Sequence, residues 1–334
     1  MSHGLTEPEP PPRRTAIVGC GRMAIVHAER LTADGRTQLV AVADEKTAAA
    51  EQLRNQYAPD VPVFTSIDAL LDQAAPELVL ICTPTAAHFD QVAACQQAGV
   101  HVLCEKPLSD SRQRIDQLVS AAEAATAHHA VAYQRRSWSV CRTIRREVQS
   151  GRWGTVQSVT ARITEDWQST IGGAWRDDPQ ANFGGFVGDA GSHKIDAVFF
   201  VTGLQPREVF ARSWKCGSRV EIVTLVSAVL QQDVPLNMDF VGNASAMRDD
   251  LHIHCERADL MLRDGRAWIA RSDQCEPITP LEPDTNPVAA FLDVLDGTAP
   301  NDAPFQCARP VFDFTSAILE SAAAGRNVIL PAGS

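Results

Sequence analysis

Residues 14–24, Arg-Thr-Ala-Ile-Val-Gly-Cys-Gly-Arg-Met-Ala, read as a buried strand running into a glycine-rich turn and then a helix. Thr15 to Val18 is short, apolar and β-prone. Gly19 permits a tight turn, Gly21 lets backbone approach a pyrophosphate, and Ala24 is small enough for helix to pack on strand. A helix beginning near Arg22 and Met23 points its unpaired N–H groups and the positive end of its dipole at the same spot. A second apolar strand, Gln38 to Ala43, ends at Asp44, about 20 residues further on, where an acid accepts hydrogen bonds from ribose hydroxyls. Strand, turn, helix and acid together describe a dinucleotide site. The charge of Asp44 repels a 2′-phosphate, so the reading favours NAD over NADP, with Lys46 close by as a counterweight.

Outward from this stretch, helical and strand patterns alternate as they do in a parallel sheet. Helix is expected over 45–56, strand at 63–64, helix over 67–71, strand over 78–82, helix over 86–98, strand over 101–104, helix over 110–126 and strand over 130–133. In a doubly wound sheet the ligand lies outside the carboxyl ends of the strands. Gly19 to Ala24, Asp44, Thr83-Pro84-Thr85, Glu105-Lys106-Pro107 and Gln134 are therefore expected to face one crevice.

Beyond residue 135 the texture changes. A helix over 137–150 and a strand over 156–163 precede a stretch, 164–188, that is rich in Trp, Asp, Gly and Gln and has no period. A helix is expected over 189–200. Strands over 208–214, 220–230, 236–241, 250–255, 259–262 and 268–270 then follow one another without helices between them, which predicts antiparallel pairing. Two helices, over 287–295 and 307–324, finish the chain. The reading divides it into a flexible tail, 1–13, a Rossmann domain, 14–134, and a C-terminal α/β domain, 135–334.

At 334 residues and 45% apolar content the chain can fill two cores. Its formal net charge of −11 argues against a nucleic-acid or anionic-membrane surface, and a small molecule is the expected partner. No apolar run reaches the roughly 18 residues of a membrane helix. Nine cysteines without Cys-x-x-Cys spacing fit a reducing, cytoplasmic setting.

Two constellations carry chemistry. Lys106 follows a buried strand, where its ammonium can stabilise an alkoxide as hydride leaves carbon. Asp189, His193 and Asp196 are spaced i, i+4, i+7 and are expected to share one helical face, opposite Ile195, Val198 and Phe199. An imidazole beside carboxylates suits removal of a hydroxyl proton near neutrality, so His193 is the candidate general base, with Asp189 orienting it or touching substrate. His252 and His254 alternate on one strand face, but no third ligand has suitable spacing, and no metal is expected. Trp138, Trp167, Trp175 and Trp214 read as a mixture of core residues and platforms for a sugar ring.

The chain resembles the glucose-fructose oxidoreductase and inositol dehydrogenase family (Gfo/Idh/MocA). The resemblance rests on the turn at Gly19 to Ala24, on Glu105-Lys106-Pro107, and on the Asp-x-Gly-x-His-x-x-Asp pattern from Asp189 to Asp196. It extends to Thr83-Pro84-Thr85 with His88, Tyr133-Gln134-Arg135-Arg136, Ser150 to Gly154 and the closing Gly325-Arg326. It implies a Rossmann domain followed by an α/β domain with a large, mostly antiparallel open sheet, whose outer face serves as a subunit interface in a homodimer or homotetramer. It puts Lys106, Asp189 and His193 in catalytic positions. Gly19, Gly21, Arg22, Met23, Asp44, Thr83, Pro84, Thr85, His88, Glu105 and Lys106 would hold cofactor. Gln134, Arg135 and Trp175, with Lys106, Asp189 and His193, would meet substrate. The activity implied is an NAD-dependent dehydrogenase acting on a secondary alcohol of a sugar, cyclitol or related polyol. The alternatives are a glycosidase that uses bound NAD for transient oxidation, and a non-catalytic NAD sensor.

Overall fold

The computed structural model describes residues 11–173, 175–180 and 182–331, with Trp175 described in its backbone alone. The chain forms two compact units interleaved in sequence. One comprises residues 1–105, 120–130 and 288–301, the other 106–119, 131–287 and 302–334. Residues 288–301, expected in the C-terminal domain, belong to the first unit. There Arg36 pairs with Asp293 at 2.8 Å and Asp296 at 2.7 Å, and Arg13 pairs with Asp296 at 2.6 Å. Such long-range ion pairs leave no mark on local periodicity. Arg13, read as tail, already begins the first strand.

The first sheet has six strands: β1 (Arg13–Val18), β2 (Thr37–Ala43), β3 (Val63–Phe64), β4 (Leu78–Ile81), β5 (His101–Cys104) and β6 (His129–Val131). Their order is β3-β2-β1-β4-β5-β6, the doubly wound arrangement with its switch point between β1 and β4. Ala16 to Val18 and all of β4 are buried, as near-continuous apolar strands covered on both faces must be. The helices are α1 (Arg22–Asp34), α2 (Thr47–Tyr57), α3 (Ile67–Ala74), α4 (Thr85–Gln97) and α5 (Arg112–Ala124).

The second sheet has nine strands: β7 (Val156–Asp166), β8 (Pro206–Trp214), β9 (Val223–Leu230), β10 (Pro235–Val241), β11 (Asn243–Cys255), β12 (Asp259–Arg263), β13 (Arg266–Arg271), β14 (Gln274–Pro277) and β15 (Val328–Ile329). The order is β14-β13-β12-β11-β7-β10-β9-β8-β15. The run of strands is thus mostly antiparallel, but β7 lies between β10 and β11 and pairs in parallel with β10. Chain neighbours are not sheet neighbours there, which succession of strands alone does not reveal. Period-two burial along β9 and β10 puts one face on the core: Thr224, Val226, Ala228 and Leu230 are buried, as are Leu236, Met238 and Phe240. Helices α6 (Ser139–Gln149), the short α7 (Gln168–Ile171) and α8 (Ser192–Thr202) belong to this unit. The aperiodic stretch after Ile163 holds, among the described residues, the end of β7, then α7, a 3₁₀ turn at Trp175–Asp177 and the start of a π-helical turn at Val187. No helix among the described residues is long and apolar enough to cross a membrane.

Candidate active site

In the first unit, the turn after β1 is built as a phosphate cradle requires. Gly19 has φ +84°, and a Cβ there would lie 2.5 Å from the Thr83 nitrogen, so only glycine fits. A Cβ at Gly21 would meet nothing within 4 Å, leaving space before the first turn of α1, whose cap supplies no side-chain hydrogen bond. The first N–H groups of a helix have no partner within it, and here no capping side chain takes their place. Arg22 is exposed and Met23 half-buried at this end. Asp44 stands past β2, where its two carboxylate oxygens accept from the backbone N–H of Cys20 at 2.7 Å and of Lys46 at 2.8 Å. The acid therefore braces the glycine turn, and its remaining lone pairs stay available to ribose hydroxyls. Burial and the neighbouring Asp44 push the Cys20 thiol up to about 12, so it packs as a neutral side chain.

Thr83, Pro84 and Thr85 form the turn from β4 into α4. His88 is buried, with Nε2 2.8 Å from the Thr83 carbonyl, and so supports the turn from behind. Glu105, also buried, pairs with His27 of α1 at 2.8 Å. His27 went unremarked in the sequence because a lone histidine in an amphipathic helix gives no signal. These residues fit a dinucleotide in their chemistry: a turn in which Gly19 admits no side chain, a helix start without a side-chain cap, and a braced acid.

In the second unit, the side chains gather on Asp189. The peptide bond Lys106–Pro107 is cis. Lys106 Nζ donates to Asp189 Oδ1 and to the Asp189 carbonyl, both at 2.9 Å. Arg176 Nε donates to Oδ2 at 2.7 Å and Trp167 Nε1 to the same oxygen at 3.3 Å. Asp189 lies in a π-helical turn, Val187–Gly191, before α8. That turn is packed so closely that a Cβ on Gly188 would fall 1.8 Å from the Phe183 carbonyl oxygen. Burial alone would raise the Asp189 carboxyl, but the Lys106 and Arg176 charges outweigh it and hold the group well below the usual carboxylate range.

His193 follows one turn later, half-buried, its ring edge-on to Tyr133 with centroids 6.3 Å apart. Its Nδ1 is shielded from solvent and has no hydrogen-bond partner among the described residues. Burial, and then the charges of Lys106 and Arg135, push its pKa well below the ordinary histidine value, against a smaller opposing pull from Asp189. The imidazole is thus held neutral. Of the two roles expected of Asp189, orienting His193 by a hydrogen bond is not seen among the described residues, where its carboxylate oxygens accept from Lys106, Arg176 and Trp167.

Asp196 does not join the cluster around Asp189. It is fully buried and accepts from Arg136 Nε at 2.9 Å and Nη2 at 2.6 Å. The π turn alters the spacing of Asp189 relative to α8, and all of α8 except His193 is buried, so Asp196 finds its partner inside the unit. Arg135, 3% exposed, pairs through Nε with Asp249 of β11 at 2.6 Å, and Lys194, 1% exposed, reaches the same carboxylate at 2.6 Å. Arg135 Nη1 is buried without a partner among the described residues. Gln134 is half-buried in the adjoining 3₁₀ turn, Gln134–Ser137. The side chain of Trp175 lies outside the described residues. Trp167 packs on Phe186, with centroids 5.5 Å apart, while Trp214, read among the core candidates, is 48% exposed. Lys194 and Asp249 are not singled out by the sequence, and neither is the hold of Arg176 and Trp167 on Asp189. The legible signal was Lys194, a cation inside an apolar helix, which demands a buried partner.

Residues 13–133 match the family model described as the oxidoreductase family with NAD-binding Rossmann fold, and residues 141–261 match the GFO/IDH/MocA C-terminal domain. The chain belongs to this GFO/IDH/MocA oxidoreductase family. It is similar to the inositol 2-dehydrogenase of Rhizobium meliloti (strain 1021), with 30% identity over 198 residues, 59% of this chain and 57% of that protein. The chain thus spans little more than half the length of the curated relatives it matches. Among solved structures, the oxidoreductase domain protein from Kribbella flavida superposes with TM-score 0.85 at 20% identity, covering 96% of this chain and 100% of that one. The WlbA dehydrogenase from Bordetella pertussis, in complex with NADH and UDP-GlcNAcA, does so with TM-score 0.81 at 21% identity, covering 96% and 99%. At these identities the likeness is one of fold.

Proposed function

We propose that this protein is an NAD-dependent dehydrogenase acting on a secondary alcohol of a sugar, cyclitol or related polyol. The observation that carries the proposal is the neutral imidazole of His193, with a buried and unpartnered Nδ1, in the same cluster as the Lys106 ammonium. Buried polar groups are nearly always hydrogen-bonded, and a substrate hydroxyl is the natural partner for an imidazole nitrogen and for Arg135 Nη1. The hydroxyl donates its proton to His193, the ammonium of Lys106 donates to the oxyanion as it forms, and Asp189 keeps that ammonium aimed. Bound NAD supplies the acceptor for the hydride released from the carbinol carbon. Gly19, Gly21, the start of α1 and Asp44 would hold it, the acid favouring NAD over NADP.

The relatives named above support a polyol or sugar as substrate. All nine cysteines are free, which suits a cytoplasmic protein. Trp214, Val223 and Leu225 lie together on the outer face of the nine-stranded sheet and support assembly of a homodimer or homotetramer there. The test is turnover of NAD⁺ and, separately, NADP⁺ against a panel of inositols, aldoses, glycosides and sugar acids. Net NADH with an equivalent amount of ketone is the expected result. Glycoside cleavage without net NADH, or NAD binding with no turnover across the panel, would overturn it.

A further inference from the structure

We propose that His252, His254 and Asp259 form a binding site for a divalent transition-metal ion, of which zinc is the model case, on the outer face of the β11–β12 hairpin. The strand period puts Leu251, Ile253 and Cys255 into the core and turns His252 and His254 to the other side. Spacing along β11 supplies two imidazoles and no third ligand. The antiparallel ladder supplies it, because Asp259 of β12 stands directly opposite His254.

The geometry is close to what a small cation needs. Asp259 Oδ1 is 3.0 Å from His254 Nδ1, and Oδ2 is 3.3 Å from His252 Nε2. All three ligand atoms lie within 4.8 Å of one another. A tetrahedral ion with bonds of about 2.0–2.1 Å sets its ligands about 3.3 Å apart, and the carboxylate stands about that far from each imidazole, through Oδ1 for His254 and Oδ2 for His252. The two rings lie with their centroids 4.0 Å apart, so both imidazoles border the same carboxylate. His252 Nε2 is shielded from solvent yet makes no hydrogen bond of good geometry among the described residues. A nitrogen held in that way has a lone pair to give.

Two imidazoles and one carboxylate suit zinc, cobalt(II) or nickel rather than magnesium or calcium, which prefer all-oxygen sets. In the single chain the side chains of His252, His254 and Asp259 are 30%, 39% and 35% exposed, so an ion reaches them from solvent there and keeps water in its fourth position. Among the described residues no hydrogen bond or ion pair joins the three to the Asp189 or Asp249 clusters, so the site stands apart from the proposed chemistry.

The experiment uses the tag-free 334-residue chain after dialysis against a chelator. Cobalt(II) is titrated in while its visible d–d absorption is followed, and zinc binding is measured by calorimetry. One ion per chain is expected, with the absorption intensity of a four-coordinate site, and zinc should displace cobalt. Loss of even an outer-shell partner costs a metal site roughly 10–100-fold in affinity, so His252→Ala and Asp259→Asn should each weaken binding by at least about tenfold. His128→Ala, in the other unit, should leave it unchanged. Circular dichroism melts of each variant establish that folding is retained. Absence of a cobalt spectrum, or equal uptake by the His252→Ala/His254→Ala double variant, would show that Asp259 merely bridges two imidazoles and would overturn the site.

Discussion

Lys106 holds two acceptors of Asp189 at once, its carboxylate and its carbonyl, so the ammonium is fixed before any substrate arrives. Preorganised charge of this kind stabilises an oxyanion without rearranging during the reaction. Lys106→Ala should therefore lower hydride transfer in single turnover by about 10²–10⁴-fold, the usual worth of a positioned proton or hydrogen-bond donor. NAD affinity, measured by fluorescence titration, should change little. An unchanged transfer rate would remove Lys106 from the mechanism. His193 gives a second expectation, and its sign follows from the direction of its shift. A base works only when unprotonated, and burial with two nearby cations depresses the pKa of this imidazole. The pH profile of kcat/KM should consequently stay flat through the ordinary histidine range near 6.5 and fall only at lower pH. An ordinary surface histidine would lose activity around 6.5.

Helix α8 carries Lys194 and Asp196 fully inside the unit, each neutralised from a different element, by Asp249 of β11 and by Arg136. Asp249→Ala would leave Lys194 and Arg135 buried without their shared carboxylate, a loss of about 3–5 kcal/mol by analogy with broken buried pairs. Lys194→Met keeps the Arg135–Asp249 pair and fills a similar volume, so it should cost far less. Urea midpoints of the two variants compare these costs directly. The same elements show what the sequence could tell. β1, the glycine turn, α1 and β4 were legible because a local pattern of strand, turn and helix dictates them. Lys106, Asp189 and His193 were legible as a motif, and they gather in one unit. What stayed hidden depended on partners distant in the chain: the hold of Arg176 and Trp167 on Asp189, the ion pair of Asp249 with α8, and the insertion of β7 between β10 and β11. The π turn was hidden too, because helical spacing assumes 3.6 residues per turn and the wider turn breaks that count just before His193.

Considered as a molecule in solution, the chain leaves part of its nine-stranded sheet facing outward with Trp214 and Leu225 nearly half exposed. Register puts Trp214 opposite Val223 and Arg212 opposite Leu225, so the apolar side chains adjoin one another on that face. If subunits associate there, Leu225→Glu should shift the mass measured by light scattering toward the single chain, while the far-ultraviolet dichroism of the fold is kept. An unchanged mass would place the contact elsewhere or exclude it. The indole of Trp167 has a further use. It is buried, and its N–H rests on the very carboxylate that anchors Lys106. An indole's emission responds to the electric field along its ring, so the centre of this cluster contains its own lamp. Occupation of the site, or protonation of His193, should alter its colour or brightness, and Trp167→Phe should extinguish that part of the signal. Ligands can then be screened by light alone, without waiting for any of them to be turned over.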